Sequence, residues 1–191
     1  MDKKAEKQAL RQQIKGILKS LYLKEKNEEL LKNLSSLLLM MQSRRNLKLA
    51  FFHPIASEPN LLSLISSKLL SFTYYLPVVE GDLLRFFEVT KETEFNKNEF
   101  GILEPVNAKE IEIRDIDIFI IPGLAFDLHG MRLGRGKGYY DRVLRLAKPG
   151  AKKIGVTFDV QVLMEIPSET FDVEMNYLVT ETRILKMKNI K

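Results

Sequence analysis

The chain has 191 residues, nearly half of them hydrophobic and none of them cysteine; it can bury one substantial core and cannot use disulfides, thiolate catalysis or cysteine-ligated clusters. With only His53 and His129 a multi-histidine metal centre is not expected, and a net charge of +5 favours anionic partners without separating a nucleotide from a nucleic acid or an acidic small molecule. No stretch approaches the roughly eighteen consecutive apolar residues of a membrane span and the N-terminus is not signal-like, so a cytoplasmic protein with no membrane partner is expected.

From Lys3 to Leu23 the apolar residues Leu10, Ile14, Ile17, Leu18, Leu21 and Tyr22 recur at helical spacing, which predicts an amphipathic helix. Lys7 and Arg11 lie four apart and share one of its surfaces, which a solvated basic face explains on its own. A second helix over Glu28 to Gln42 carries Leu30, Leu31, Leu34, Leu37, Leu38 and Met41 and reads as structural. Leu47 to Phe52 predicts a strand, followed by His53-Pro54 and a loop ending in Ser57-Glu58-Pro59-Asn60. Ser57 as cap and Pro59 in the first turn then start a helix over Leu61 to Leu70. Glu58 thereby sits at a strand-to-helix junction, where it either complements the positive end of that helix or faces a ligand as a fixed carboxylate. His53 is equally open.

Thr73 to Leu76 and Leu83 to Val89 predict two strands with turns at Pro77 and Gly81-Asp82. Lys91 to Glu99 reads as an exposed charged loop, and the FGILEPV segment with Glu104-Pro105 as extended chain. Ile116 to Ile121 is β-branched and aromatic without strict alternation, which predicts a buried central strand that stops at Pro122-Gly123. After it comes a loop of roughly fifteen residues, long enough that a functional role is expected. Its end alternates Gly134, Gly136 and Gly138 with Arg135 and Lys137, and with Arg132 these supply backbone N–H groups and cations suited to a polyphosphate. Tyr139 and Tyr140 add two amphipathic rings, and Asp141 a hard oxygen ligand that a magnesium ion on the phosphates could use. A solvated basic turn explains the glycines equally well, since such patterns are weak by themselves. Val143, Leu144 and Leu146 continue as a helix ending before Pro149-Gly150. Lys153 to Phe158 predicts another buried strand, Ile166-Pro167 a turn, and Tyr177 to Val179 a last short strand before a basic tail.

Strands alternating with helices argue for an α/β sandwich with a largely parallel sheet, without a linker or repeat to divide residues 1–191 into more than one domain. In such sheets ligands bind beyond the carboxyl ends of the strands, where the 122–137 loop and Glu58 can meet.

The stretch IPGLAFDLHGMRLGRGKGYYDR closely resembles the signature of the 5-formyltetrahydrofolate cyclo-ligase family. The similarity extends to the basic first helix, the SEP junction at Glu58, the ILEP segment and the closing FDVEMNYLVTE. The resemblance implies an enzyme that converts 5-formyltetrahydrofolate and ATP, with Mg2+, to 5,10-methenyltetrahydrofolate, ADP and phosphate. It also implies a single-domain, three-layer α/β/α Rossmann-like sandwich with a largely parallel central sheet. By motif position, Lys7 and Arg11 would reach ATP phosphates, with Arg11 also near the folate. Arg132, Leu133, Gly134, Arg135, Gly136, Lys137, Gly138, Tyr139 and Tyr140 would form the nucleotide loop, and Arg135 to Tyr139 would also touch the folate. His53 and Glu58 would line the folate pocket, Arg135 and Lys137 would be catalytic, and Asp141 and Asn176 would hold the metal.

The implied chemistry explains these residue types. An N-formyl carbon is a poor electrophile with a poor leaving oxygen, and phosphorylating that oxygen lets N10 attack and phosphate leave. Such a transfer needs positioning and charge neutralisation more than a protein nucleophile. Two positions depart from the family pattern. Asn176 stands where aspartate is common, predicting weaker magnesium binding, and Val78 stands where arginine is often found. Competing readings are a kinase or ligase acting on another acid, a nucleic-acid-binding module, and a non-catalytic folate-binding relative. The loop lacks the G-x-x-x-x-G-K-[ST] of a P-loop, and 25 acidic residues beside 30 basic ones argue against a nucleic-acid partner. A monomer acting on small molecules, polyglutamylated folates among them, is expected.

Overall fold

The computed structural model describes residues 2–19, 25–42, 46–55, 57–67, 69–98 and 101–187. Leu21 to Leu23 of the predicted first helix, the Glu99-Phe100 junction and the basic tail past Met187 lie outside the described residues. Helix α1 (Lys3–Lys19) buries Ile14 and Leu18, but against Leu124, Ala125, Leu133 and Ile166. Its apolar face therefore packs on the long loop. Helix α2 (Lys26–Met41) buries Leu30, Leu34, Leu37 and Leu38 and covers one face of the sheet.

Strand β1 (Leu47–Ala50) pairs in parallel with β2 (Phe72–Glu80), which turns at Gly81-Asp82 into antiparallel β3 (Leu83–Val89). Pro77 is inside β2, opposite Phe86, and not in a turn. The ladder from β1 ends near Tyr75, so residue 77 has a strand on one side only and a missing N–H costs nothing there. The predicted helix over residues 61 to 70 is a single 3-10 turn, Leu62–Ser66, with no side-chain cap from Leu61. Asn60 Oδ1 accepts from the Leu62 N–H, and Ser57 caps nothing. Within the segment read as a charged loop, β4 (Phe95–Lys97) forms a hairpin with β5 (Leu103–Pro105).

Short β6 (Glu110–Ile111) closes one sheet edge, and β7 (Ile118–Ile121) is fully buried between two parallel neighbours, β1 and β10 (Lys152–Val156). Its alternate residues split between two cores: Ile118 and Ile120 join the α2 side, while Phe119 and Ile121 join Val143 and Leu144 of α3 (Tyr139–Leu146). Asp117 fixes the start of the strand: its carboxylate accepts from the Lys48 N–H at 2.8 Å and from Lys148 Nζ at 2.7 Å. Parallel β12 (Tyr177–Val179) and antiparallel β13 (Ile184–Lys186) complete the eight strands, in the order β13-β12-β10-β7-β1-β2-β3-β6. The protein is thus a mixed α/β fold with a large, mostly parallel central sheet. No helix among the described residues is long and apolar enough to cross a membrane.

The loop after β7 is more ordered than its composition predicts. It contains β8 (Ala125–Asp127) and β9 (Arg132–Leu133), which form a small sheet with β11 (Val162–Leu163). Asp127 is fully buried and satisfied: it accepts from the N–H groups of His129 and Met131, both at 2.9 Å, and of Ile166 at 2.8 Å. Phe126 pins the loop to the main sheet. Its ring fills the space a side chain would occupy at Gly123 and at Gly155, where an added Cβ would come within 2.8 and 2.5 Å of it.

Candidate active site

At the carboxyl ends of β1 and β7 lies a cavity of about 500 Å³. Further walls come from α1, the 132–138 loop, the N-terminal end of α3 and residues 169–172, with Pro77 and Val79 of β2, Leu84 of β3 and Ile102 and Glu104 at β5. Every residue expected at a site lines this cavity except Asn176. Lys7 and Arg11 come from the helix packed on the loop, His53 and Glu58 from the chain after β1, and Arg132 to Asp141 from the loop and the start of α3.

Three of the cavity's cations, Lys7, Arg132 and Arg135, face carboxylates of the same cavity. Lys7 Nζ, almost buried, donates to Asp172 Oδ2 at 2.6 Å and to Glu169 Oε2 at 3.0 Å. Burial pushes its pKa down, but Asp172 and Glu169 together outweigh that and hold it above the ordinary 10.5. Arg132 Nη2 donates to Asp141 Oδ1 at 2.8 Å, and its guanidinium stacks on the Tyr140 ring. Arg135 donates through Nε and Nη2 to Glu58 Oε1, at 3.1 and 2.9 Å. Glu58 Oε2 accepts from the Ile55 N–H at 3.2 Å, so this carboxylate is held from both sides. Burial nevertheless raises its pKa, against the opposing pull of Arg135. Arg11 Nε donates to the Gly134 carbonyl at 2.9 Å, and Lys137 has no side-chain hydrogen bond among the described residues.

Two of the three alternating glycines are needed for backbone geometry, since Gly136 and Gly138 adopt φ of +107° and +69°. Gly138 is the residue before α3, so the unbonded N–H groups of that helix's first turn open toward the cavity. Arg142 locks this end: it donates to the Asp82 and Lys137 carbonyls and lies over the Tyr139 ring, whose hydroxyl donates to the Gly81 carbonyl at 3.2 Å. Both ring nitrogens of His53 are shielded from solvent and lack a hydrogen-bond partner, although the residue lines the cavity. Burial lowers its pKa, with a weaker opposing influence from the Pro54 backbone.

Residues 3–181 match the model of the 5-formyltetrahydrofolate cyclo-ligase family. The chain belongs to that family. It is therefore an enzyme of the cyclo-ligase class. A 5-formyltetrahydrofolate cyclo-ligase of Mycolicibacterium smegmatis is 35% identical over 138 residues, covering 68% of this chain and 71% of the relative. A 5-formyltetrahydrofolate cyclo-ligase of Haemophilus influenzae is 29% identical over 143 residues, covering 71% and 76%. The solved 5,10-methenyltetrahydrofolate synthetase of Aquifex aeolicus superposes with a TM-score of 0.83 at 33% identity, over 97% of this chain and 94% of that one.

In this cyclo-ligase family member the geometry corrects one expected metal ligand. Asn176 Oδ1 accepts from the Lys153 N–H at 2.8 Å, and its own N–H donates to the Lys153 carbonyl. It therefore sits beside the first residues of β10 and outside the lining of the cavity that includes Asp141. Val78 is likewise outside the cavity, opposite Arg85 in the ladder, while its neighbours Pro77 and Val79 line it.

Two further acidic residues of the cavity wall, Glu169 and Asp172, were not assigned to the site from the sequence, nor was Phe171 between them. One signal pointed that way. A lysine one turn before Arg11, on the flank of an apolar helix face, needs anionic partners once that face is buried.

Proposed function

We propose that the protein closes 5-formyltetrahydrofolate to 5,10-methenyltetrahydrofolate with ATP as phosphoryl donor and Mg2+ as the accompanying ion. The observation that carries this reading is the convergence of Lys7, Arg11, Arg132, Arg135 and Lys137, from two separate stretches of sequence, on one cavity beside the N-terminal end of α3. Such an array neutralises and orients a triphosphate, and the first-turn N–H groups of α3 add donors that need no reorganisation.

In this reading Lys137 and Arg135 hold the transferring phosphoryl group against the formyl oxygen. Glu58 and the apolar wall of Phe52, Ile55, Pro77 and Leu84 take the pterin side of the folate. The formyl oxygen attacks the terminal phosphorus and ADP leaves; N10 then attacks the formyl carbon and phosphate departs. The donor set suits a hard ion held mainly by phosphate oxygens and water: Asp141 and Asp172 offer wall carboxylates, and no group of three or more acidic or histidine side chains gathers among the described residues. Bound there, such an ion would supply charge neutralisation of the β- and γ-phosphates.

The same reading takes the protein as a cytoplasmic monomer of one domain, residues 1–191. It acts on ATP and on folates, polyglutamylated forms included, with no nucleic-acid or membrane partner. Its fold is then the three-layer α/β/α Rossmann-like sandwich. The test is absorbance growth of the methenyl chromophore from 5-formyltetrahydrofolate, with ATP and magnesium each omitted in turn. A band requiring both supports the proposal, and none from folded protein at any magnesium concentration overturns it.

A further inference from the structure

Of the cavity's ion-paired carboxylates, Glu58 has the least access to water. Its side chain is 7% exposed, against 11% for Asp172, 21% for Asp141 and 34% for Glu169. Arg135 is its one cationic partner among the described residues, and both bonds from that arginine, Nε at 3.1 Å and Nη2 at 2.9 Å, end on the same oxygen, Oε1. The other oxygen accepts the Ile55 N–H at 3.2 Å. Burial works against the charged carboxylate here, and Arg135 is the main influence opposing it. Taking the cation away from such a group costs more than at an exposed one, because water cannot replace the lost partner. The arginine is the freer member of the pair, its side chain 36% exposed and on the cavity wall. It can turn to another anion without that cost only if something else satisfies the carboxylate it leaves.

We propose that the Glu58–Arg135 pair couples the two ligand subsites by exchange: ATP draws Arg135 onto its phosphates, the pterin donors of the folate take the vacated place on Glu58, and each exchange favours the other. The inference rests on the proposed cyclo-ligase reaction, which sets Arg135 against phosphate and Glu58 against pterin. A triphosphate presents the anionic oxygens that a guanidinium binds best. A tetrahydropterin presents an amino group and ring N–H groups, which are donors a carboxylate can accept.

ATP arriving alone leaves Glu58 with the Ile55 N–H and no counter-charge. With both ligands bound, Arg135 has phosphate and Glu58 has the pterin donors, so neither buried group is left unpartnered. Coupling of this kind is reciprocal: folate tightens ATP binding by the factor by which ATP tightens folate binding. Glu58 thereby acts on the nucleotide as a positioning residue, through Arg135.

The test measures by calorimetry the dissociation constant of a non-hydrolysable ATP analogue with magnesium, with and without saturating 5-formyltetrahydrofolate. In wild-type protein folate should tighten the analogue by roughly 5-fold to 150-fold. Glu58→Gln removes the charge and keeps an oxygen for the Ile55 N–H. This variant should bind the analogue without folate about as tightly as wild type binds it with folate, a gain that a purely structural ion pair does not produce. Removing an acidic group also makes the cavity more attractive to any anion, and the Arg135→Ala background separates the two causes. There Glu58→Gln should change the affinity by no more than about twofold.

Wild-type affinity that is the same with and without folate overturns the inference, as does a Glu58→Gln gain that survives in Arg135→Ala. The wild-type comparison needs no variant, so the inference stays refutable if one fails to fold. In either case methenyl formation by wild-type protein leaves the cyclo-ligase reaction standing. Absence of methenyl formation overturns the reaction itself, and the inference with it.

Discussion

Lys7 and Arg135 show how a single cation can serve both stability and function. Removing Lys7 leaves Asp172 and Glu169 facing each other without a counter-charge in a partly buried wall. Lys7→Ala is therefore expected to lose about 1–3 kcal/mol, read as a lower midpoint in urea. The Lys7 pKa is raised, so its contribution is complete below 10.5 and disappears only as pH climbs through the higher folded value. The difference between wild type and variant should persist in mildly alkaline buffer and close above pH 10.5. Lys137→Ala should cut turnover by roughly 100-fold or more with an unfolding midpoint nearly unchanged, whereas Arg135→Ala should cut turnover as much and also lower the midpoint, because it strips the counter-charge from the largely buried Glu58 side chain. Near-normal rates in both would remove the loop from the mechanism. Arg135→Ala should also let the Glu58 carboxyl titrate at still higher pH, since burial raises that pKa and Arg135 is the main opposing influence. An NMR titration of Glu58 at the same pH in both proteins would refute this.

At the scale of elements, the helix patterns of α1 and α2 and the boundaries of β3 and β12 were readable because their apolar spacing and turn residues agree with what the tertiary structure buries. The 61–70 segment was not. Its cap-like Ser57 and Pro59 promised an α-helix, but the chain makes one 3-10 turn, with Leu61 and Leu64 buried in the core on the α2 side. Pro77 misled in the opposite sense, because the tolerance of a proline depends on which neighbouring strand has already ended, and that is set by β1 far away in sequence. The candidate site was legible wherever its residues came in one run, from Arg132 to Asp141. Glu169 and Asp172 were not legible because their relation to Lys7 spans more than 160 residues and exists only after α1 packs on the loop. That packing also fixes how loop and sheet depend on each other. Gly155→Ala places a methyl against the Phe126 ring at 2.5 Å, so it should lower stability by about 1–3 kcal/mol. It should also lower activity by more than the unfolded fraction explains, through displacement of β8 and the residues after it. Unaltered thermal unfolding would show that the ring can move aside freely.

At the scale of the whole molecule, the parallel centre of the sheet gathers its strand ends at one edge, and chain from both termini returns to close that edge. Residues near 7, 58, 135 and 172 meet only in the folded state, so ligands that touch all of them should stabilise the fold as a unit. ATP with folate at about 100 times their dissociation constant should add about 2.7 kcal/mol, visible as a raised unfolding temperature that depends on ligand concentration. Hydrogen-exchange slowing restricted to the loop, with α1 unaffected, would contradict that expectation.

The Phe126 ring, seated where Gly123 and Gly155 lack side chains, divides the long loop into two regimes of mutational tolerance. Its first part is an extension of the hydrophobic core, and random substitution across residues 123 to 127 should be selected against by folding whatever the substrate. Its second part, residues 134 to 138, hangs from that anchor. Substitution of its cations should be selected against mainly by turnover, so a library scored separately for soluble expression and for activity should split at the anchor.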